Sequence, residues 1–405
     1  MNLTIAWRNI WRNKKRTLIT LISVSFAVVM AVFTRSFQEG TYTKMIENAV
    51  GQFTGYVQVH QKDYWNDKTL DNGIVINDSL LNVIKSVKDV EGVNLRLESF
   101  SLASYGNNTK GALIMGIDPA SEDSMIGLRS KMKKGQFINA NDQSLLIGSR
   151  LADFLGIEVG DTLVLLGQGH WGQSAIGAYP VKGIIKIPAP DIDRQIIFMP
   201  LKLAQNYYSF DNGITSIVVK FTDSDKTDEI VKELNQKLNN TEYRAMGWRK
   251  MMPEMVQLIQ SDRAGGIFMI AVLYMIIAFG VFGTVLMMTE ERKKEFAVMV
   301  SIGTQRTKLM LISIYETLLI NSLAIVIGII ITIPIIIYYN HHPIRMSGEA
   351  ADSIAKLGIE PVMPTILEAS IFLHQIEVIL SIVAIASLYP LISITRFNLI
   401  KALRR

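Results

Sequence analysis

The stretch that decides the fold is Thr17–Thr34, TLITLISVSFAVVMAVFT, eighteen residues without a charge that directly follow Lys14-Lys15-Arg16. A bilayer core needs roughly 20 apolar residues per helix. Working outward, the next uncharged run of that length does not begin until Gly265 and ends at Thr289; two more lie within 309–339 and 376–395. One span therefore precedes a polar stretch of more than two hundred residues, and three follow it. The layout predicts an α-helical membrane bundle of four transmembrane helices, plus a large α+β domain inserted between helices 1 and 2. The predicted segments are 1–16 (amphipathic N-terminal helix), 17–37 (span one), 38–262 (inserted domain with stalks), 263–289 (span two) and 290–308 (a loop with a helix). They continue as 309–339 (span three), 340–375 (a second loop), 376–395 (span four) and 396–405 (tail).

Charge fixes the expected orientation. The chain has 405 residues with 49% hydrophobic composition and a net charge of +5. Fourteen of its basic residues fall in 1–16, 289–308 and 396–405, short segments next to spans, whereas the insert carries 23 basic and 27 acidic side chains. Short basic flanks stay in the cytoplasm, so both termini and the 290–308 loop are expected inside and the insert outside. Nucleic-acid binding is disfavoured, because the positive charge is membrane-proximal and not gathered on the soluble domain. The chain has no cysteine, so no disulfide braces the insert, which is large enough to bury its own core. Thr34-Arg35-Ser36-Phe37 has no small-x-small cleavage pattern, so span one reads as an uncleaved anchor.

Residues 2–13 place Leu3, Ala6, Trp7, Ile10 and Trp11 on one helical arc opposite Arg8 and Arg12, the pattern of a helix in the headgroup layer or of a simple flanking anchor. In the insert, Tyr56–His60 and Ser216–Lys220 read as strands. Thr227–Leu238 reads as a helix. Ser144–Ile147, Ser149–Leu155 and Thr162–Leu166 read as strand, helix and strand. The alternation suggests two lobes, 110–185 inserted into 50–105 plus 190–245. The stretches 38–50 and 245–264 would continue the first two spans as stalks. Pro334 and Pro390 predict kinks. Gly280 with Thr284, and Ala324 with Gly328, predict close helix approach.

Gly167-Gln168-Gly169-His170-Trp171-Gly172 matches a dinucleotide fingerprint in letters only; no helix signal follows, so a hairpin is expected. No Gly-x-x-x-x-Gly-Lys-Ser/Thr and no nucleophile signature occurs. His170, His341 and His342 stand apart from other ligand types. The chain reads as a non-enzyme with no catalytic residue, metal or cofactor of its own. The loop from Thr289 to Thr304 is more informative. It opens with Glu290, Glu291, Arg292, Lys293, Lys294 and Glu295 and turns apolar at Phe296, Met299, Val300 and Ile302, before Gly303 can end a helix. Such a face calls for a partner groove or lies against headgroups. Glu316, about two turns inside span three, must snorkel to the cytoplasmic side or pair with a base of the loop.

These residues resemble the ABC-transporter permeases of the lipoprotein-release and macrolide-exporter superfamily, with an FtsX-like permease domain and a MacB-like periplasmic core. The likeness rests on Ala6-Trp7-Arg8-Asn9-Ile10-Trp11-Arg12-Asn13-Lys14-Lys15-Arg16-Thr17 and on Glu291-Arg292, Glu295 and Ser301-Ile302-Gly303. In the insert it rests on Gly135-Gln136-Phe137, Ile147-Gly148, Leu151-Ala152, Leu155-Gly156 and Val159-Gly160-Asp161, and in span three on Glu316 with Gly328. Leu399 stands where that family often has proline, and Ala297 where it often has glycine. The resemblance implies a separate cytoplasmic ABC ATPase, holding the ATP and Mg, that docks through Glu291, Arg292, Glu295, Met299, Ile302 and Gly303. It implies a second permease subunit, identical or paralogous, in a bacterial inner membrane. It also implies extraction of acylated lipoproteins toward a periplasmic carrier, with Met30, Phe33, Phe37, Met269 and Tyr274 as candidates for an acyl-chain cavity wall. The alternatives are an efflux permease for an antibiotic, peptide or haem, and a regulatory membrane module controlling cell-wall hydrolases.

Overall fold

The computed structural model describes residues 2–12, 14–239, 242–348, 351 and 362–396. The predicted tail and the middle of the 340–375 loop lie outside the described residues. The chain divides into two compact units.

The first unit, residues 1–42, 258–345 and 362–405, is helical. Among the described residues, four helices are long and apolar enough to cross a membrane, over Thr17–Gly51, Pro253–Glu291, Arg306–His341 and Ala369–Thr395. Helices one and three meet closely. Ala324 is fully buried, and Ser25 Oγ donates to its carbonyl at 2.8 Å. At Gly328 a Cβ would lie only 2.7 Å from the Val28 Cβ, so glycine there permits the approach. Gly280 departs from expectation: open space surrounds it, and Thr284 bonds back to its carbonyl. Pro334 lies inside helix three. Helix four is interrupted after Ala386; Ser387 closes one segment and Leu388–Arg396 begins another, with Pro390 in its first turn, where a missing N–H costs little.

The N-terminal segment is helical over Asn2–Arg12, and among its residues 4–12 only Ala6 and Ile10 are buried. Trp7 and Trp11 stay about half exposed, edge to face. At the other end of the bundle Glu39 accepts from Arg35 and from Arg263 of helix two, and Tyr42 donates to Asp262.

The second unit, residues 43–257 and 346–361, is the α+β domain. Its strands are β1 (Val57–Gln61), β2 (Ile74–Val75), β3 (Gly92–Tyr105), β4 (Asn108–Ile117), β5 (Met132–Gly135), β6 (Leu145–Gly148), β7 (Thr162–Gln168), β8 (Ser174–Ile185), β9 (Ile196–Pro200), β10 (Gly213–Ile214), β11 (Ser216–Lys220) and β12 (Tyr243–Gly247). Ten of them form one mixed sheet in the order β12-β1-β11-β3-β4-β9-β6-β8-β5, with β7 bridging β3 and β8. The two-lobe expectation is thus corrected. The fourteen-residue β3 pairs with β11 at its start and with β7 near its end, which fuses the two halves. Separate apolar clusters still mark them. Val57, Val59, Ile217, Ile230 and Leu234 belong to one; Ile114, Ile147, Leu151, Leu163 and Ile197 belong to another.

The helices Ser149–Leu155 and Thr227–Leu238 form where their spacing places them. The Gly167–Gly172 segment is a hairpin turn, with Gln168 paired to Ser174 across β7 and β8. The second stalk is shorter than expected: residues 245–247 belong to the edge strand β12, and the long helix starts at Pro253. The first stalk does continue as a helix to Thr54, its last eight residues wound as a π-helix.

Candidate functional site

Helix two ends at Glu291, and Arg292 turns the chain into a short helix, Lys293–Ser301. Gly303, with φ +96°, ends it; its N–H donates to the Val300 carbonyl and that of Thr304 to Met299. Only glycine adopts that φ without strain, which is why the helix stops there.

Two charges of this segment, Glu295 and Arg292, enter a ladder. Arg12 of the N-terminal helix donates to both oxygens of Glu295, at 2.5 and 2.7 Å. Glu295 also accepts from Arg292 Nε at 3.3 Å. Arg292 Nη1 then donates to Glu316 of helix three. Exposure falls along the series: the Arg12 and Glu295 side chains are 58% and 43% exposed, Arg292 and Glu316 only 8% and 1%. Burial alone would raise the Glu295 carboxyl; Arg12 and Arg292 outweigh it and hold it below the usual carboxylate range. Glu316 is thus paired with a base of the loop, one of the two outcomes its depth allowed. A second tie runs beside the ladder: Tyr389 of helix four donates to Glu290 at 3.0 Å, and Lys293 meets the same carboxylate at 2.5 Å.

The apolar residues divide. Phe296 is buried in a small cluster with Leu309 and Ile394, against which Met299 and Val300 pack half-buried. The expected exposed face of Phe296, Met299, Val300 and Ile302 is therefore corrected, because three of the four are satisfied within the bundle. What faces outward is Lys294, Val298, Ser301 and Ile302, at i, i+4, i+7 and i+8, with Glu291 before them. Val298 is 44% and Ile302 79% exposed. Of the six residues singled out for docking, Glu291, Ile302 and Gly303 are exposed, Glu295 is shared with the ladder, Met299 is half-buried and Arg292 is buried. Arg12 was missed. Its partner lies 283 residues away, and nothing but its place in a basic motif marked it.

The five cavity candidates do not form one set. Phe33 stacks on Phe37 at 6.0 Å and meets Tyr339 of helix three edge-on. Tyr274 donates to Gln375 of helix four. Met30 and Met269 are exposed, at 39% and 66%. In the sheet, alternation along β3, β7 and β8 leaves Phe100, Leu102, Val164, Leu166 and Ile176 outward, with Leu102 opposite Leu166 and Leu166 opposite Ile176. That apolar patch also escaped the sequence reading, because both faces of β7 are apolar.

The family model for the MacB-like periplasmic core domain matches residues 17–237, more than half of the chain, and that for the FtsX-like permease C-terminal region matches 267–399. The chain belongs to the ABC transporter permeases of the LolC/MacB family. The permease is 24% identical over 406 residues to the lipoprotein-releasing system transmembrane protein LolC of Xylella fastidiosa strain Temecula1, covering 96% of this chain and 93% of that one. Against LolC of strain 9a5c it is 26% identical over 253 residues, 60% of this chain and 59% of the relative. Against the macrolide export ATP-binding/permease protein MacB of Campylobacter jejuni strain 81-176 it is 21% identical over 357 residues, 83% of this chain but only 53% of the relative. The permease is thus a multi-pass membrane protein of four apolar helices with a MacB-like α+β domain.

Proposed function

We propose that this permease converts ATP hydrolysis by a separate cytoplasmic ABC ATPase into movement of its α+β domain on the far side of a bacterial inner membrane, and that its cargo is an acylated lipoprotein. Both termini and the 293–301 helix lie in the cytoplasm, the inserted domain lies in the periplasm, and a second permease subunit completes the complex. The observation that carries the reading is the ladder Arg12–Glu295–Arg292–Glu316. It fixes a nine-residue helix to helix three and to the N-terminal helix, while Lys294, Val298 and Ile302 stay outward. An exposed apolar pair on a held helix is suited to a groove in a soluble partner. Force applied there reaches helix three through a buried ion pair, without relying on a flexible loop.

Lipoprotein release is favoured over efflux because the LolC relative of strain Temecula1 is matched along almost its whole length, whereas the MacB relative is matched over about half. The chain has no cysteine, so single cysteines at 294, 298 and 302 report cleanly. Crosslinking of all three to a copurifying ATPase, and ATP-dependent release of a triacylated protein from proteoliposomes, are expected. Labelling of position 302 from the same side as the sheet domain would overturn the topology. Stimulation of ATP hydrolysis by a macrolide but not by an acylated protein would replace the cargo.

A further inference from the structure

We propose that Arg96 is a positioning residue: held by Glu122, it grips the last turn of the first stalk and makes the stalk and the sheet move as one body. This rests on the transport reading above. Arg96 lies on β3 and is 0% exposed, and Glu122 is 1% exposed. The guanidinium uses all three of its nitrogens. Nη2 donates to Glu122 Oε1 at 2.5 Å and Nε to Oε2 at 3.3 Å, while Nη1 donates to the Phe53 carbonyl at 2.6 Å. Phe53 belongs to the π-helix that ends the first stalk. Its carbonyl is one of the terminal acceptors that a helix leaves without an internal partner.

A buried ion pair is weak evidence for stability, since apolar residues of the same volume do as well. What an apolar side chain cannot do is hold a carboxylate and a helix-end carbonyl at once. Around Arg96 the joint is braced. Asn94 donates to the same Glu122 carboxylate and accepts from Ser121. The Phe53 side chain packs against the apolar cluster that holds Met115, Ile117 and Ile126. At Gly55 the chain turns with φ +83° before entering β1, and Gln58 Nε2 donates to the Thr54 carbonyl at 2.6 Å. Just past the end of the neighbouring edge strand β12, Trp248 N–H donates to the Tyr56 carbonyl at 2.9 Å, shortly before helix two begins. A displacement of the stalk thus meets two elements at once, β3 through Arg96 and the helix Pro119–Ile126 through Glu122.

The test uses the full permease reconstituted with its ATPase, scoring lipoprotein released per ATP hydrolysed. Arg96→Lys keeps the positive charge beside Glu122 but lacks the fork that also reaches Phe53. ATP hydrolysis is expected to stay within about twofold, while release per ATP falls by about tenfold. An unchanged ratio in a variant that remains protease-resistant overturns the proposal. If Arg96→Lys does not fold, hydrogen exchange on the wild-type complex decides. Amides 50–57 should keep equal protection with and without a non-hydrolysable ATP analogue, and loss of protection there on nucleotide binding overturns the joint. Wild-type protein with no ATP-dependent release at all fails the transport reading instead, so the two failures are distinct.

Discussion

The Arg292–Glu316 pair gives the sharpest quantitative test. Both groups are within a tenth of full burial, where helix two gives way to the short helix Lys293–Ser301. Removing one partner of such a pair leaves a charge without its counter-ion and typically costs about 3–5 kcal/mol. Arg292 keeps its 3.3 Å contact with Glu295 when Glu316 is lost, which places Glu316→Leu at the lower end, about 3 kcal/mol. Arg292→Met removes the ion-pair partner of the deeper carboxylate and should cost at least as much. The double variant Arg292→Met/Glu316→Leu removes both charges and fills the space with apolar atoms, so it should lie within about 1 kcal/mol of the natural protein. Unfolding titrations in mixed micelles for the four proteins yield a coupling energy, expected to be about 5 kcal/mol from these costs. A coupling below about 0.5 kcal/mol would refute the reasoning, since the two groups would then act as independent sites.

Three further outcomes follow from separate parts of the molecule. His60, buried beside Tyr64 with Nδ1 on the Thr215 carbonyl, is held down by burial to a pKa of about 4 from 6.5. The neutral form is therefore the folded one: its stabilisation is full above pH 6.5 and is lost as pH falls toward 4. The total is about 3 kcal/mol, and a pH-dependent unfolding slope unchanged in His60→Gln would contradict this. Gly328→Ala should cost about 1–3 kcal/mol by pressing on Val28, and Val28→Ala should leave most of that cost in place, because alanine keeps the Cβ that lies nearest; equal melting of Gly328→Ala and the natural protein would dismiss the close approach. The outer rung, Arg12–Glu295, is more than two-fifths exposed on both sides. A double-alanine cycle there should give only about 0.5–1 kcal/mol, shrinking in high salt, and a salt-independent value would show that the rung is buried.

What could be read in the sequence depended on how local the cause was. The four membrane helices were legible because each is a contiguous run of apolar residues, and the helix Thr227–Leu238 because Ile230, Leu234 and Leu238 repeat at its own period. The turn at Gly303 was legible because one residue type alone tolerates that backbone. The continuous sheet was not, because the fusion of its halves depends on which strands pair with β3, and strand pairing leaves no mark in local composition. The second stalk was read too long because Tyr243–Gly247 is short, and only its pairing with β1 makes it a strand.

The charged residues show the same limit in a form that bears on function. Arg292, Glu295 and Glu316 each drew notice singly, the first two for their spacing and the third for its depth. Which of them face a partner depends on Arg12, because Arg12 and Arg292 divide the Glu295 carboxylate between them. A charge run read by itself presents all its side chains to solvent equally. Once the N-terminal helix is laid against it, Glu295 and Arg292 are taken up by the ladder, and the other outward residues of the segment are Lys294, Val298, Ser301 and Ile302 with Glu291 before them. Recognition by a soluble partner would then rest on an apolar pair flanked by charge, with the ladder setting the helix at a fixed angle. Shape would count for more than salt bridges. Raising ionic strength should accordingly weaken docking far less than Val298→Asp or Ile302→Asp, since screening acts on exposed charges and leaves apolar burial intact. A complex that dissociates in moderate salt yet tolerates both aspartates would mean that the charges, and not the apolar stripe, make the contact.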